Sequence, residues 1–298
     1  MIEKAIKYMI DPDYRFLFLR SHNKYINMPD DEYLIKLFHA KTGRNLNLSE
    51  PKTYNEKLQW LKLFDRRDIY TTMADKYLVK EYVSSQIGSS YVIPLFGVWD
   101  NVDMIDFQSL PNQFVLKCTH DSHGLVICKD KSKLDITYTK AKLQKCLSRN
   151  YYYMHREWPY KNIKPRIIVE KYMEEESGEL RDYKVLCFNG IPKLIELHQG
   201  RFSGTHYQDF YDTDWNKTSI NQLGEQSYPD TVPRPTCLDE MLEKSIKLSK
   251  GIPHVRVDWY IIGDRLYFGE FTFYDASGFD LFQNDADDLM IGSWITVI

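Results

Sequence analysis

The chain has 298 residues, 43% of them hydrophobic and 14% aromatic, enough to bury a substantial core in one large domain or two to three intimate subdomains. Its 39 basic and 42 acidic residues leave a net charge of −3 without a long basic block, which argues against nucleic acid as the main partner, and no apolar run reaches the roughly 18 residues a membrane span needs. Five cysteines, Cys118, Cys128, Cys146, Cys187 and Cys237, lack CxxC spacing and are odd in number, which fits a reducing cytoplasm better than a disulfide framework, and charges scattered through residues 1–20 break up any secretory signal.

Residues 1–88 read as mostly helical. The stretch 31–43 has helical apolar spacing through Tyr33, Leu34, Leu37 and Phe38, 55–64 repeats it through Leu58, Leu61 and Leu63, and 75–85 makes a third helix. A strand follows over 91–99, and 114–118 with 125–128 flank a polar turn containing Gly124, which predicts a hairpin. Residues 137–148 are helical by pattern, and the aromatic, charged stretch 151–165 has no period and reads as a connection. Next come a strand over 166–172, a hairpin of 182–188 and 192–198 around Asn189-Gly190, a helix over 238–250, and a last hairpin of 255–261 and 265–271 around Gly263-Asp264. The fold class is α+β, without regular βαβ repeats.

Chemistry concentrates at three places. Strand 114–118 carries Lys117 and runs into Thr119-His120-Asp121-Ser122-His123-Gly124, a short turn whose backbone N–H groups beside a lysine suit phosphate oxygens; an ordinary hairpin with a surface lysine fits the same residues. Strand 166–172 ends in Glu170-Lys171-Tyr172, followed by Met173, where backbone groups at a cleft edge would meet an adenine; a strand ending at the surface is the plainer reading. The last hairpin sets Arg256 and Asp258 on one strand against Glu270 and Thr272 on the next. Facing acids need a cation or a proton between them, which makes Asp258 and Glu270 candidates for Mg2+; a solvated face with Arg256 paired to an acid is the alternative.

Taken in order, these pieces resemble the ATP-grasp superfamily, and in particular the TupA-like ATP-grasp family of polysaccharide and teichuronopeptide biosynthesis. The resemblance spans roughly residues 50–280 and rests on Asn55-Glu56-Lys57-Leu58-Gln59-Trp60, Ala74-Asp75-Lys76-Tyr77, the segment 115–124, Lys164-Pro165-Arg166 with the strand after it, Arg181-Asp182-Tyr183-Lys184, Arg256-Val257-Asp258 and Phe268-Gly269-Glu270-Phe271-Thr272. It implies an ATP-grasp fold of two α+β subdomains behind a mostly helical region: helical residues 1–88, a lid over 89–171, and a C-terminal subdomain with the metal site over 172–298. It also implies that Lys76 and Lys117 reach phosphates and that His120, Asp121, Ser122, His123 and Gly124 cover them. Glu170, Lys171, Tyr172 and Met173 would form the adenine hinge, and Lys184 would be a further nucleotide contact. Asp258 and Glu270, with Thr272 where many relatives carry Asn, would hold Mg2+, while Arg256 and Lys117 act in catalysis. Glu174, Glu175 and Glu176 are all candidates for the ribose.

The function so implied is a cytoplasmic Mg-ATP-dependent ligase that activates a small-molecule or saccharide carboxylate as an acyl phosphate and couples it to an amine, such as an amino acid joined to a hexuronic acid. Three rivals stand beside it. Asp212-Thr213-Asp214 has the DxD spacing of a sugar-nucleotide glycosyltransferase, although two acids in a polar stretch are common on surface loops. A kinase on the same scaffold, and a nucleotide-binding module without turnover, are the others.

Overall fold

The computed structural model describes residues 2–122, 124–174, 181–200 and 205–297. Helices α1 (Ile2–Ile10), α2 (Pro12–Ser21), α3 (Asp30–Thr42), α4 (Tyr54–Phe64), α5 (Asp68–Ala74) and α6 (Leu78–Ile87) make up the front of the chain. Local chemistry sets their ends. Asp11 caps α2, with Pro12 at its first turn, and Gly43 closes α3 in the left-handed conformation. Thr53 and Glu56 form a reciprocal capping box on α4. The apolar stripe of α3 packs with Phe16 and Phe279.

The helix expected over 75–85 begins only at Leu78, as α6, and a break at Asp75 separates it from α5. The Asp75 carboxylate accepts the backbone N–H groups of Tyr77 (2.8 Å) and Leu78 (3.3 Å) and pairs with Arg166 at 2.7 Å. An Asp side chain that satisfies its own downstream amides competes with helical continuation, and the break presents Lys76 outside any helix.

Strands β1 (Leu95–Trp99), β2 (Phe114–Cys118) and β3 (Leu125–Cys128) are followed by helices α7 (Ile136–Leu147) and α8 (Tyr152–His155) and by β4 (Ile167–Lys171). They form an antiparallel sheet of order β1-β4-β2-β3, with a core of Phe114, Leu116, Ile167, Val169 and Leu143. The expected strand over 91–99 begins only at Leu95, after a 3-10 turn at Ser89–Tyr91.

A second antiparallel sheet, in the order β7-β6-β5-β8-β9, is built from β5 (Asp182–Phe188), β6 (Ile191–Gln199), β7 (Tyr207–Tyr211), β8 (His254–Ile262) and β9 (Arg265–Thr272). Helix α9 (Leu238–Ser249) covers one face, where Val185, Ile195, Val257, Trp259 and Phe271 are buried and Trp259 Nε1 donates to Ser245 Oγ at 2.9 Å. Helix α10 (Asp285–Ser293) packs on α4. The turn between β5 and β6 has Asn189 at φ 50° and Gly190 at φ 81°, the two left-handed residues a tight hairpin demands. Strand β7 lies where the sequence reads as a surface loop, because its buried Gln208 and Asp209 hide the alternation. The result is α+β, with a helical front and two sheet-containing subdomains.

Candidate active site

The uncovered face of the second sheet is polar, and its pairing shows why. Directly opposed residues of an antiparallel ladder share a face. Lys184 on β5 stands opposite Glu196 on β6 and Asp258 on β8, and Asp182 stands opposite His198 and Tyr260. Arg256 faces Thr272 of β9. These residues form rows across the sheet, on the side away from α9.

Two register shifts make the rows possible. Between β8 and β9, Tyr260 pairs with Tyr267 but Val257 pairs with Phe271, so Gly269 and Glu270 together stand against Asp258. A hairpin without that bulge would put Glu270 on the apolar face. A side chain on Gly269 would approach the Asp258 carbonyl oxygen at 3.2 Å, which favours glycine there. Between β5 and β6 the pairing Cys187 with Pro192 gives way to Leu186 with Leu194, so Lys193 is the extra residue and Lys184 meets Glu196 rather than Ile195. Bulges of this kind re-aim side chains beside sites.

Arg256 is the centre of the buried charges. Its Nε and Nη2 donate to the two Asp258 oxygens, each at 2.8 Å, its Nη1 donates to Asp275, and its Nη2 also reaches Thr272 Oγ1 at 3.1 Å. Glu196 Oε2, a buried oxygen with no hydrogen-bond donor among the described residues, lies 3.7 Å from Nη1. Burial raises the Asp258 and Asp275 carboxyls above the usual range even though Arg256 pulls each the other way. Asp258 therefore meets Arg256 directly, while Glu270, 42% exposed, pairs with Lys76 at 3.4 Å.

From the first sheet, the buried Glu170 carboxylate bridges Lys80 at 2.5 Å and Lys117 at 2.7 Å. Burial opposes its charge, but the two lysines hold its pKa at about 2. Lys117 is itself held above the usual lysine value: burial works against it, and Glu170, Glu270 and Asp182 outweigh burial. Crowding likewise raises Glu270, but Lys76, Arg256, Lys184 and Lys117 bring it below the usual carboxylate range. Cations from the break before α6 and from β2, β5 and β8 thus act on one carboxylate.

The turn expected to cover phosphates is placed differently from the other candidates. His120 is buried with Nε2 against the Cys146 carbonyl at 3.2 Å, and Asp121 pairs with Arg149 at 2.6 Å. Both side chains therefore have partners within the first subdomain, and Ser122 lies beside Tyr151. Gly124 is pressed on Cys118, where a Cβ would come within 2.6 Å, and His123 lies outside the described residues. In the segment expected to border an adenine, the Lys171 amide donates to the Pro94 carbonyl at 2.9 Å, Tyr172 has Lys129 over its ring, and Met173 is half-buried. Of the ribose candidates, Glu174 is exposed and pairs with Lys129 at 3.8 Å, while Glu175 and Glu176 lie outside the described residues.

Asp212 spends both oxygens on its own turn, accepting from the Asp214 and Asn216 amides and from Asn216 Nδ2. Among the described residues no cluster of three or more His, Cys, Asp or Glu has metal-holding geometry, so the candidate metal set stays at two carboxylates and a hydroxyl. Lys80, Glu196, His198 and Asp275 do not stand out in the sequence as site residues. Alternation of Glu196 with His198 on β6 was the available signal for those two; Asp275 lies beyond its strand and had none.

The profile of a family described as TupA-like ATPgrasp matches residues 56–296. Solved structures similar to this chain include the D-alanine–D-alanine ligase of Helicobacter pylori, at 13% identity and TM-score 0.44, covering 82% of this chain and 69% of that one. The D-alanine–D-alanine ligase of Bacillus anthracis complexed with ATP matches at 15% identity and TM-score 0.37, covering 67% of this chain and 53% of that one. A RimK domain ATP-grasp protein of Sphaerobacter thermophilus matches at 12% identity and TM-score 0.41, covering 76% and 69%. The chain thus spans little more than half the length of the Bacillus enzyme. A search of curated proteins found no match.

Proposed function

Because this chain belongs to the TupA-like ATP-grasp family, we propose that it is a Mg-ATP-dependent ligase that couples a carboxylate to an amine through an acyl phosphate. ATP-grasp ligase chemistry in general goes with the family; the nucleotide site, the substrates and the subdomain roles are our reading. A hexuronic acid of a cell-surface polysaccharide and an amino acid are the substrates we favour, in the cytoplasm. Residues 89–171 act as the lid, 172–298 as the catalytic half and 1–88 as the helical front. The observation that carries the reading is the arrangement of four cations from separate elements around a two-acid hairpin: Lys76 pairs with Glu270, Arg256 with Asp258 and Lys117 with Glu170, and Lys184 stands opposite Asp258.

The donor set fits the group. Mg2+ takes hard oxygen ligands, commonly one or two carboxylates completed by phosphate oxygens, and Asp258, Glu270 and Thr272 offer such atoms on one sheet face. Mg-ATP bound there would supply the phosphoryl group that converts a carboxylate, a poor electrophile, into one with phosphate as leaving group. Lys76, Lys117 and Lys184 offset the phosphate charge, the segment 170–173 borders the base, and Arg256, held by acids at both ends, presents a fixed guanidinium to the group transferred. An amine then displaces phosphate, giving an amide.

Hydroxylamine trapping tests the proposal. With Mg-ATP and a panel of uronic acids, hydroxylamine in place of the amine yields a hydroxamate and ADP. A phosphorylated alcohol indifferent to hydroxylamine makes the protein a kinase, and UDP-sugar consumption without ATP makes it a transferase. ATP binding without any turnover leaves a binding module.

A further inference from the structure

The turn that follows β9 carries Asp275 and is strained. Ala276 (φ 44°, ψ 28°) and Ser277 (φ 56°, ψ 18°) are left-handed, and Gly278 follows at φ 66°. Only glycine occupies that region readily, so two successive side-chain-bearing residues there must be held by their surroundings.

Helix α4 does the holding. Gln59 and Lys62 are fully buried, and both donate to this turn. Gln59 Nε2 donates to the carbonyls of Gly278 at 2.8 Å and Ser277 at 3.1 Å. Lys62 Nζ donates to the Ser277 carbonyl at 2.7 Å and to Gln59 Oε1 at 2.9 Å, and lies 4.6 Å from the Phe279 ring centre. One turn earlier, Asn55 Nδ2 donates to the Asp280 carbonyl at 2.8 Å. Asn55, Gln59 and Lys62 stand four and three residues apart, so one helix face meets the whole turn. Gly278 is pressed so closely on α4 that a Cβ would meet Gln59 Nε2 at 2.5 Å and Leu58 Cβ at 2.9 Å. Ser277 Oγ donates to Glu157 at 2.5 Å from the other side.

A buried lysine is costly to keep charged, and burial lowers Lys62 well below the usual lysine value although Glu157 opposes. A packed apolar residue would stabilise the helix with less desolvation. These donors have a specific duty: they face carbonyls that a left-handed turn points inward and that no strand or helix satisfies.

We propose that Gln59 and Lys62, with Asn55 beside them, are positioning residues for the ligase reaction. By locking the turn at residues 275–278 they bring Asp275 to Nη1 of Arg256, while Asp258 holds the other edge of the guanidinium. The proposal rests on the ligase reading for its catalytic consequence, and it gives the Asn55-Glu56-Lys57-Leu58-Gln59-Trp60 motif a role that core packing alone does not.

The test uses Gln59→Leu and Lys62→Met in the full chain, the second keeping an unbranched side chain against Phe279 so that a folded variant is in hand if the first fails to fold. In either variant kcat for Mg-ATP-dependent product formation falls at least about tenfold, while the Kd for Mg-ATP changes by less than about twofold. In an Asp275→Asn background the same substitutions lower kcat little further, because both act through one contact. The Nε–H resonance of Arg256 in nitrogen-15 arginine-labelled protein, read without substrate, shifts or broadens in both variants. Additive losses in kcat, or an unchanged Nε–H resonance in a folded variant, overturn the proposal. If the wild type makes no product while the resonance still moves, the lock on Arg256 stands and the ligase reading is what fails.

Discussion

Arg256 changes what removing each acid of the last hairpin does. Two facing carboxylates without a cation repel, and on that ground alone neutralising either would relieve the free protein. Asp258, however, is 7% exposed and accepts two guanidinium bonds. Asp258→Asn therefore weakens a buried charged contact and costs about 1–3 kcal/mol of stability, whereas Glu270→Gln, losing one exposed contact, costs less than about 1 kcal/mol. Both lower Mg-ATP-dependent turnover at least about a hundredfold, or about 2.7 kcal/mol in the barrier. Melting curves and turnover of the two variants check this, and equal melting losses or wild-type turnover would falsify it. Glu170 governs the acid side. Its pKa of about 2 in the folded chain lies below the ordinary 4.5, so its stabilising contribution is complete above about pH 4.5 and is lost as pH falls toward 2. That contribution is on the order of 3 kcal/mol. The acid limb of stability against pH is accordingly shallower in Glu170→Gln; identical limbs would show that Lys80 and Lys117 do not hold the carboxylate this way.

Hairpin geometry sets the next level. Gly190 is left-handed at φ 81°, and a Cβ there would meet only ordinary contacts beyond 3.4 Å, so Gly190→Ala isolates the backbone penalty of about 1–2 kcal/mol. Its melting temperature should drop while turnover at permissive temperature stays within twofold or so of wild type. The bulge at Lys193 can be removed without turning the strand over. Deleting that residue leaves Cys187 opposite Pro192, Leu186 opposite Leu194 and Lys184 opposite Glu196, because the pairs on its two sides are already in step. A cooperative melt near the wild-type temperature should survive; loss of that melt would mean that Lys193 does more than offset the two halves of the strand.

At the scale of the molecule, charges from both sheets and from the helical front converge, so ligand binding should tie the parts together. At a free Mg-ATP concentration 100 times its Kd, binding to the folded state adds about 2.7 kcal/mol, which for a chain of this length raises the melting temperature by roughly 4 °C. Lys117→Ala removes a cation from the site and leaves Glu170 its pair with Lys80, so it should reduce the ATP-dependent rise while leaving the protein folded. A full rise in that variant takes Lys117 out of the site.

Much of this was legible in the chain itself, because periodicity and turn chemistry are local. Apolar spacing every three to four residues marks α3 and α4, Asn189-Gly190 marks its hairpin, and the ordered motifs point to the family whose profile matches residues 56–296. Lys117, Glu170, Arg256, Asp258 and Glu270 all stand out in the sequence itself. Their partners were not readable. Which face Glu270 takes depends on one extra residue in β9, and whether Lys184 meets Glu196 depends on one in β6; alternation has a period of two, so each slip reverses the faces. His120 and Asp121 look like phosphate ligands beside a glycine, yet the packing of α7 and the arginine after it turn them to Cys146 and Arg149. Nothing local marks a role for Lys62; only burial against a left-handed turn 215 residues away makes it a donor to Ser277. Local pattern set the elements, and long-range packing, which no local pattern encodes, set the contacts among them.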